Sequence, residues 1–300
     1  MRPFLLFCLC LFALGARAEA RLLTSIKPLQ LIAAAVQDGV GQPETLLPPG
    51  ASPHHYALRP SDVRRVREAD LFYWIGPDLE GFLDKPLAGR DKPTVAVQDL
   101  PGLRLRRFEA DGGAHEADLE HDHDHRPGSL DAHLWLLPAN ARVIAARMAT
   151  DLAAADPANA GRYQANLNAF DERLTRLDER LAGRLKPLAG KPYFVFHEAY
   201  DYFEHAYGLR HAGVFSVLGE VQPGARHVAA LRERLREAGP SCVFSEPPLR
   251  PRLAETLTAG LPVRLAELDA MGANLAPAAD GYERLLDGLA DGLGACLGAL

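Results

Sequence analysis

The densest group of metal-binding side chains lies in residues 115–125, HEADLEHDHDH, which hold four histidines and five acidic residues. The histidines are His115, His121, His123 and His125. Imidazole and carboxylate groups are ordinary protein ligands of Zn²⁺. Residues 109–128 lack apolar periodicity and are rich in Gly, Asp, Glu and His, which predicts a mobile loop. Such a loop cannot hold a fixed coordination geometry unaided. We therefore expect either an auxiliary sensor or scavenger that binds zinc weakly, or a solvated tether.

Three further histidines stand apart from this loop, in sharply turned segments or directly after a predicted strand. His54 lies in GASPHHYALRPSD, His133 in LDAHLWLLP and His197 in YFVFHEAY. In parallel α/β sheets, ligands bind outside the carboxyl ends of the strands. Each residue also has a purely structural interpretation, since His133 could pack against Trp135 and His197 could cap the following helix. Their common placement favours one joint site.

The elements that would position these histidines are short β-rich runs, each followed by a helical pattern. The runs form two sets, residues 22–26, 44–47, 71–75 and 94–97, and residues 193–196, 214–217, 242–245 and 263–265. Strands that alternate with helices predict parallel sheets with helices on both faces. The predicted fold class is therefore α/β, with an N-terminal lobe over residues 21–155 and a C-terminal lobe over 189–300.

A long helix is predicted between the two sets, within residues 156–188. Asp156 is a capping residue and Pro157 suits the first helical position. Apolar residues then recur at intervals of three and four, at positions 163, 167, 170, 174, 177, 181, 185 and 188. A helix from 157 to about 186 would be roughly 45 Å long, comparable to a small domain. We interpret it as a rigid connection between two lobes, although periodicity alone also fits a core helix or a coiled-coil arm.

The first 20 residues have the features of a secretory signal peptide. Arg2 is followed by an apolar run over residues 4–14 and then by the small residues of ARAEA at 16–20. The run is shorter than the ~20 residues that a membrane-spanning helix needs. We therefore expect cleavage of residues 1–20 and a soluble, exported mature chain.

The remaining cysteines, Cys242 and Cys296, form a pair that favours a disulfide in an oxidising compartment, with a paired-thiolate metal site as the alternative. The net charge of −6 comes with no basic face interleaved with aromatic residues, so nucleic acid is not an expected partner.

Six successive motifs resemble those of the zinc-binding receptors of bacterial ABC importers, the ZnuA family. They are LPPGASPHHYALRPSDV, AHLWLLP, YFVFHEAYDYFEHAYGL, EVQPGARH, CVFSEPPLRP and LAELDAMGAN, in consistent order from about residue 22 to the C-terminus. The resemblance implies two (β/α) lobes joined by a long helix, one metal ion in the cleft between them and a membrane permease as partner. We expect a monomeric receptor that captures Zn²⁺ and is not an enzyme.

The resemblance also implies a ligand set of His54, His133 and His197. Asp269, in ELDAMG, matches a carboxylate that some relatives use as the fourth ligand, where others leave the position to water or use a glutamate directly before the first histidine. This chain has Pro53 directly before His54, so the glutamate option is absent and Asp269 becomes a stronger candidate for the fourth ligand. Asp269 could instead cap the turn that follows its strand. Glu246, in FSEPP, is a candidate for orienting a ligand ring.

The type of ligand favours zinc. Imidazole nitrogens suit tetrahedral Zn²⁺, whereas Mn²⁺ prefers oxygen-rich sites. Relatives for manganese or iron replace the third histidine with a carboxylate, and this chain has His197 there. A three-histidine zinc ion with an open position could also activate water, so a secreted metallohydrolase is the rival hypothesis. The sequence has no HExxH helix to support it.

Overall fold

The computed structural model describes residues 20–108, 128–215, 225–247 and 252–300. Within these ranges, the first half has four strands and five α-helices: β1 (Leu22–Thr24), α1 (Lys27–Val36), β2 (Glu44–Thr45), α2 (Pro60–Glu68), β3 (Leu71–Trp74), α3 (Pro77–Glu80), α4 (Asp84–Leu87), β4 (Thr94–Ala96) and α5 (Pro138–Ala155). The second half begins with the long helix α6 (Ala160–Leu185) and continues with β5 (Tyr193–Val195), α7 (Asp201–Tyr207), β6 (Gly213–Val214), α8 (Ala225–Ala238), β7 (Ser241–Ser245), α9 (Arg252–Thr258), β8 (Val263–Glu267) and α10 (Gly281–Leu297).

The strands form two parallel four-stranded sheets, with the orders β2-β1-β3-β4 and β6-β5-β7-β8. Every residue of the central strands β1, β3, β5 and β7 is buried. Such continuous burial is expected where helices cover both faces of a parallel sheet. The predicted fold class, α/β with two (β/α) lobes, is confirmed.

Helix α6 lies between the two sheets in the sequence and packs on both lobes. Its buried residues recur every three or four positions, at Tyr163, Asn166, Phe170, Leu174, Leu177, Leu181 and Leu185. A 3₁₀ turn precedes it at Pro157–Asn159 and another follows at Lys186–Leu188. The 26-residue α-helix is therefore about 39 Å long, at 1.5 Å per residue.

Side chains of α6 bond to both lobes. Near its start, the Asn166 amide donates to the carbonyl oxygens of Val36 at 2.9 Å and Asp38 at 2.8 Å, just past the end of α1. Further along, Arg173 Nε contacts Glu283 Oε1 of α10 at 2.5 Å. Helix α6 is thus bonded to elements of both lobes.

The two lobes also meet directly, through buried groups. Trp135 Nε1 donates to the Ala270 carbonyl at 2.9 Å, and the Tyr282 hydroxyl donates to the Trp135 carbonyl at 2.6 Å. A Cβ atom on Gly281 would stand 2.8 Å from Leu31 Cδ2, so glycine at this position permits α10 to approach α1 closely. These contacts limit how far the lobes can separate without breaking buried hydrogen bonds.

A disulfide between Cys242 and Cys296 joins β7 to α10, with a Cα–Cα distance of 6.2 Å. The predicted pairing is confirmed, and the alternative of a thiolate metal site is not. Within the four described ranges, no helix has both the length and the apolar composition to cross a bilayer.

Candidate metal centre

His54 lies in the turned segment that follows β2. The ladder to β1 continues past β2, because the Leu46 and Leu47 N–H groups donate to the carbonyls of Thr24 at 2.8 Å and Ser25 at 3.0 Å. Past a turn, the His54 N–H donates to Ser52 Oγ at 3.3 Å. The side chain of His54 is half-buried, whereas the adjacent His55 is exposed.

His133 is buried at the start of the 3₁₀ turn Leu134–Leu136, and Asp131 fixes its orientation. The Asp131 Oδ1 atom accepts the His133 backbone N–H at 3.0 Å and lies 2.8 Å from ring Nδ1. Burial raises the pKa of Asp131 well above its usual range, with the charges of Asp201 and Glu198 adding and the His133 N–H opposing. A proton on Nδ1 would donate to this oxygen and leave Nε2 to bind a metal ion.

His197 follows β5 at the carboxyl edge of the second sheet. The Phe196 N–H still bonds the Phe244 carbonyl of β7 at 2.8 Å, so His197 is the next residue beyond the ladder. Glu246 follows β7 at the same edge, and its Oε1 lies 3.1 Å from His197 Nδ1. The Tyr200 hydroxyl is 3.2 Å from the same oxygen. Adjacent parallel strands thus bring the histidine and the carboxylate together, and Nε2 is again the nitrogen directed to a metal.

The three histidines converge where the lobes meet. Their ring centroids are 5.5 Å apart for His54 and His133, 5.2 Å for His54 and His197, and 4.9 Å for His133 and His197. One nitrogen of each ring lies within 4.8 Å of the others. Zinc bonded at about 2.0–2.1 Å in a tetrahedral shell needs nitrogens about 3.4 Å apart. Small side-chain shifts would therefore complete a three-nitrogen zinc site.

Asp269 lies after β8 and binds its own turn. Its Oδ1 accepts the N–H groups of Met271 at 3.0 Å and Gly272 at 2.8 Å, and its Oδ2 accepts that of Ala273 at 2.8 Å. Burial raises its pKa, and these three N–H groups act in the opposite direction. Within the described residues, the group of convergent ligand atoms contains the three histidines without Asp269. Its assignment as the fourth ligand stays a prediction.

The auxiliary histidines His115, His121, His123 and His125 lie outside the described residues. The sequence named Glu246 as a candidate for orienting a ligand ring, and Glu246 does contact His197, but Asp131, which contacts His133, was missed. The available signal was its spacing, because an aspartate two residues before a histidine can accept both the backbone N–H and the ring N–H of that histidine.

The two parallel sheets and the three converging histidines define a two-lobed α/β protein with a group of candidate metal ligands between its lobes. A family model described as zinc-uptake complex component A, periplasmic, ZnuA, matches residues 22–296. The chain is 40% identical over 292 residues to the high-affinity zinc uptake system protein ZnuA of Yersinia pestis, covering 93% of this chain and 92% of that protein. It is 36% identical over 305 residues to the high-affinity zinc uptake system protein ZnuA of Brucella abortus strain 2308, covering 91% of this chain and 90% of that protein. The chain belongs to the ZnuA family.

Solved structures agree on the fold. A crystal structure of ZnuA aligns with a TM-score of 0.74 at 24% identity, covering 92% of this chain and 99% of that one. The periplasmic zinc binding protein TroA from Treponema pallidum aligns with a TM-score of 0.76 at 19% identity, covering 93% of this chain and 99% of that one. At these identities the likeness establishes the architecture of two (β/α) lobes.

Asp131 contacts the ring of His133 and Glu246 contacts the ring of His197, and we predict that the two carboxyl groups contribute unequally to zinc affinity. Replacing such a partner of a metal-bound histidine typically costs 10- to 100-fold in metal affinity. The Asp131 side chain is 1% exposed, whereas the Glu246 side chain is 28% exposed, so water can take over more of the role of Glu246. We expect Asp131→Asn to weaken zinc binding by about 10- to 100-fold, and Glu246→Gln to have a smaller effect.

Competition titrations with a zinc-binding dye would measure both variants beside the wild type. Circular dichroism would check that each variant is folded. Wild-type affinity in Asp131→Asn, or a larger loss in Glu246→Gln, would contradict this account of ring orientation.

Proposed function

We propose that this chain is a periplasmic receptor that captures Zn²⁺ between its lobes and delivers it to the membrane permease of an ABC-type importer. The observation that carries the proposal is the convergence of His54, His133 and His197, from three distant parts of the chain, at the meeting point of the lobes. The proposed ligands are imidazoles that lie on both lobes, so one ion can link the lobes. The relatives named as high-affinity zinc uptake proteins support the same cargo.

Uptake of radioactive zinc by the cognate importer in proteoliposomes would test this function. We expect ATP-dependent uptake to require the purified chain and to be lost with His197→Ala. His205→Ala, a change at an exposed histidine on α7, is the matched control and should support uptake like the wild type. Equal uptake with and without the chain would refute delivery.

The rival hypothesis, a zinc metallohydrolase, needs a carboxylate or other base to take a proton from metal-bound water. Asp131 and Glu246 bond to histidine ring nitrogens, and Asp269 accepts three backbone N–H groups. These carboxyl groups therefore already have positioning roles. We propose that the chain is not an enzyme, and turnover of ester or β-lactam substrates by the zinc-loaded chain would overturn that.

Zinc affinity should fall in acid, because a histidine must be unprotonated to bind a metal ion. The reference pKa of histidine is about 6.5, so protonation competes increasingly with zinc below that pH. Between pH 7 and pH 5 we expect the affinity to fall by more than about tenfold. Chelator competition at several pH values would measure this fall, and constant affinity over the range would contradict histidine ligation.

The segment rich in histidine and acid is proposed to be an auxiliary feature, separate from the tight site. Deleting residues 114–125 should leave tight one-to-one zinc binding intact, because none of the three converging histidines lies in that stretch. Calorimetric titration of the deletion variant would measure both stoichiometry and affinity. Complete loss of tight binding would show that the segment completes the site.

A further inference from the structure

A second cluster of metal-binding groups lies around α7, apart from the three converging histidines. Glu198, Asp201 and His211 each place one ligand atom within 4.8 Å of the other two. Glu198 precedes α7, Asp201 begins it, and His211 lies between α7 and β6. The tight turn at Gly208, with φ of +69°, ends α7 and returns the chain so that His211 faces the helix.

The cluster opens into a pocket of about 570 Å³, so an ion from solvent can reach it. Its acidic side chains are Glu198, Asp201 and Glu204. The pocket is also lined by His205 and by three arginines, Arg106, Arg210 and Arg234.

The carboxylates control the charge state of His211. Burial lowers the pKa of its imidazole, but the hydrogen bond to Glu204 and the negative charges of Glu204, Asp201 and Glu198 together raise it to about 9. The negative potential that holds a proton on this ring would also attract a divalent cation.

Glu204 holds the ring in place. Its two carboxylate oxygens each lie 3.0 Å from His211 Nδ1, and the Tyr193 hydroxyl donates to its Oε1 at 2.6 Å. Asp201 Oδ1 is 3.8 Å from the same nitrogen. A buried carboxylate bonded to one ring nitrogen is the usual support of a metal-binding histidine.

We propose that Glu198, Asp201 and His211 form a second site for a divalent transition-metal ion, bound through one imidazole nitrogen and two carboxylate oxygens. Zinc accepts this mixed set of nitrogen and oxygen ligands. Glu204 is a positioning residue that orients the imidazole. The proposal does not depend on the three-histidine site or on the delivery of zinc.

Binding here exchanges a metal ion for a proton. The protonated imidazole of His211 releases one proton to solvent and its nitrogen lone pair bonds to the ion, so no oxidant or reductant is needed. The apparent affinity of the second ion should therefore rise by about tenfold per pH unit between pH 6.5 and pH 8. At neutral pH this competition makes the second site the weaker one.

The test uses the full chain with His115, His121, His123 and His125 all changed to Asn, which removes competing histidines without shortening the chain. Native mass spectrometry at increasing Zn²⁺ should show two ions per chain in this background. Adding Asp201→Asn or His211→Asn should reduce the count to one. His205→Asn, a change in the same pocket but outside the cluster, is the matched control and should keep two ions.

Several outcomes would overturn the second site: a single ion in the background chain, two ions in both cluster variants, or loss of the second ion in the control. Calorimetry of the background chain in two buffers with different ionisation enthalpies does not depend on how the cluster variants fold. It should show release of about one proton with the second ion near pH 7, and a value near zero would refute the exchange. If His54→Ala in this background removes only the tighter ion, the two sites are independent.

Discussion

Replacing any one of His54, His133 and His197 with alanine is expected to weaken zinc binding by more than about 100-fold. Changing a residue that merely orients a metal-bound histidine costs 10- to 100-fold, and losing the ligand itself should exceed that. The three rings lie 4.9–5.5 Å apart between centroids, so each faces the same small volume. Affinity would be measured by competition with a chelator of known strength.

The adjacent residues His54 and His55 should differ strongly in their effect on zinc affinity. His54 belongs to the convergent group, whereas His55 is exposed and outside it. We expect His55→Ala to bind zinc within about twofold of the wild type, since a surface substitution away from the site changes little. Equal losses in His54→Ala and His55→Ala would contradict the assignment. His133→Ala leaves the buried Asp131 without its ring partner, so its unfolding should be measured alongside.

The second large effect concerns stability. The Cys242–Cys296 disulfide spans a sequence separation of 54 and ties α10 to the central strand β7. On the chain-entropy account, closing a loop of this length stabilises the folded chain by about 4 kcal/mol relative to the open one. We expect Cys242→Ala/Cys296→Ala to lose at least about that much free energy of unfolding, measured by urea denaturation of the metal-free chain.

Reduction of the wild type supplies the control, because it breaks the cross-link while keeping both buried sulfur atoms. The double variant should be less stable than the reduced chain by the further cost of the space left in the core. If the oxidised and reduced chains unfold at the same urea concentration, the disulfide does not stabilise the fold.

The part of the architecture that sequence could predict is the part encoded locally. Alternation of β-rich and helical runs predicted two parallel sheets, and the three-and-four spacing through Phe170 and Leu177 predicted the connecting helix. The helix is shorter than the pattern suggests because its ends are 3₁₀ turns, at Pro157–Asn159 and Lys186–Leu188. Apolar spacing alone does not distinguish these turns from α-helix.

The supporting contacts of the site could not be predicted in the same way. The bond from Trp135 to Ala270 joins residues 135 positions apart, and that from Tyr282 to Trp135 joins residues 147 apart. Such pairs leave no periodic trace in the sequence. The cluster of Glu198, Asp201 and His211 depends on how the chain turns back after α7, so single residues did not reveal it.

The role of Asp269 could not be predicted from its residue type. A carboxylate after a strand suits metal ligation and turn capping equally well by residue type. The structure shows the capping bonds, from Met271, Gly272 and Ala273. Ligation would require a carboxylate oxygen to approach the three histidines while those bonds lengthen or rearrange.

The most direct test of the metal centre is anomalous X-ray diffraction at the zinc absorption edge, from crystals grown with one equivalent of zinc. We predict that the strongest anomalous peak lies within about 2.0–2.1 Å of one nitrogen from each of His54, His133 and His197. A strongest peak that contacts none of these three rings would contradict the central claim.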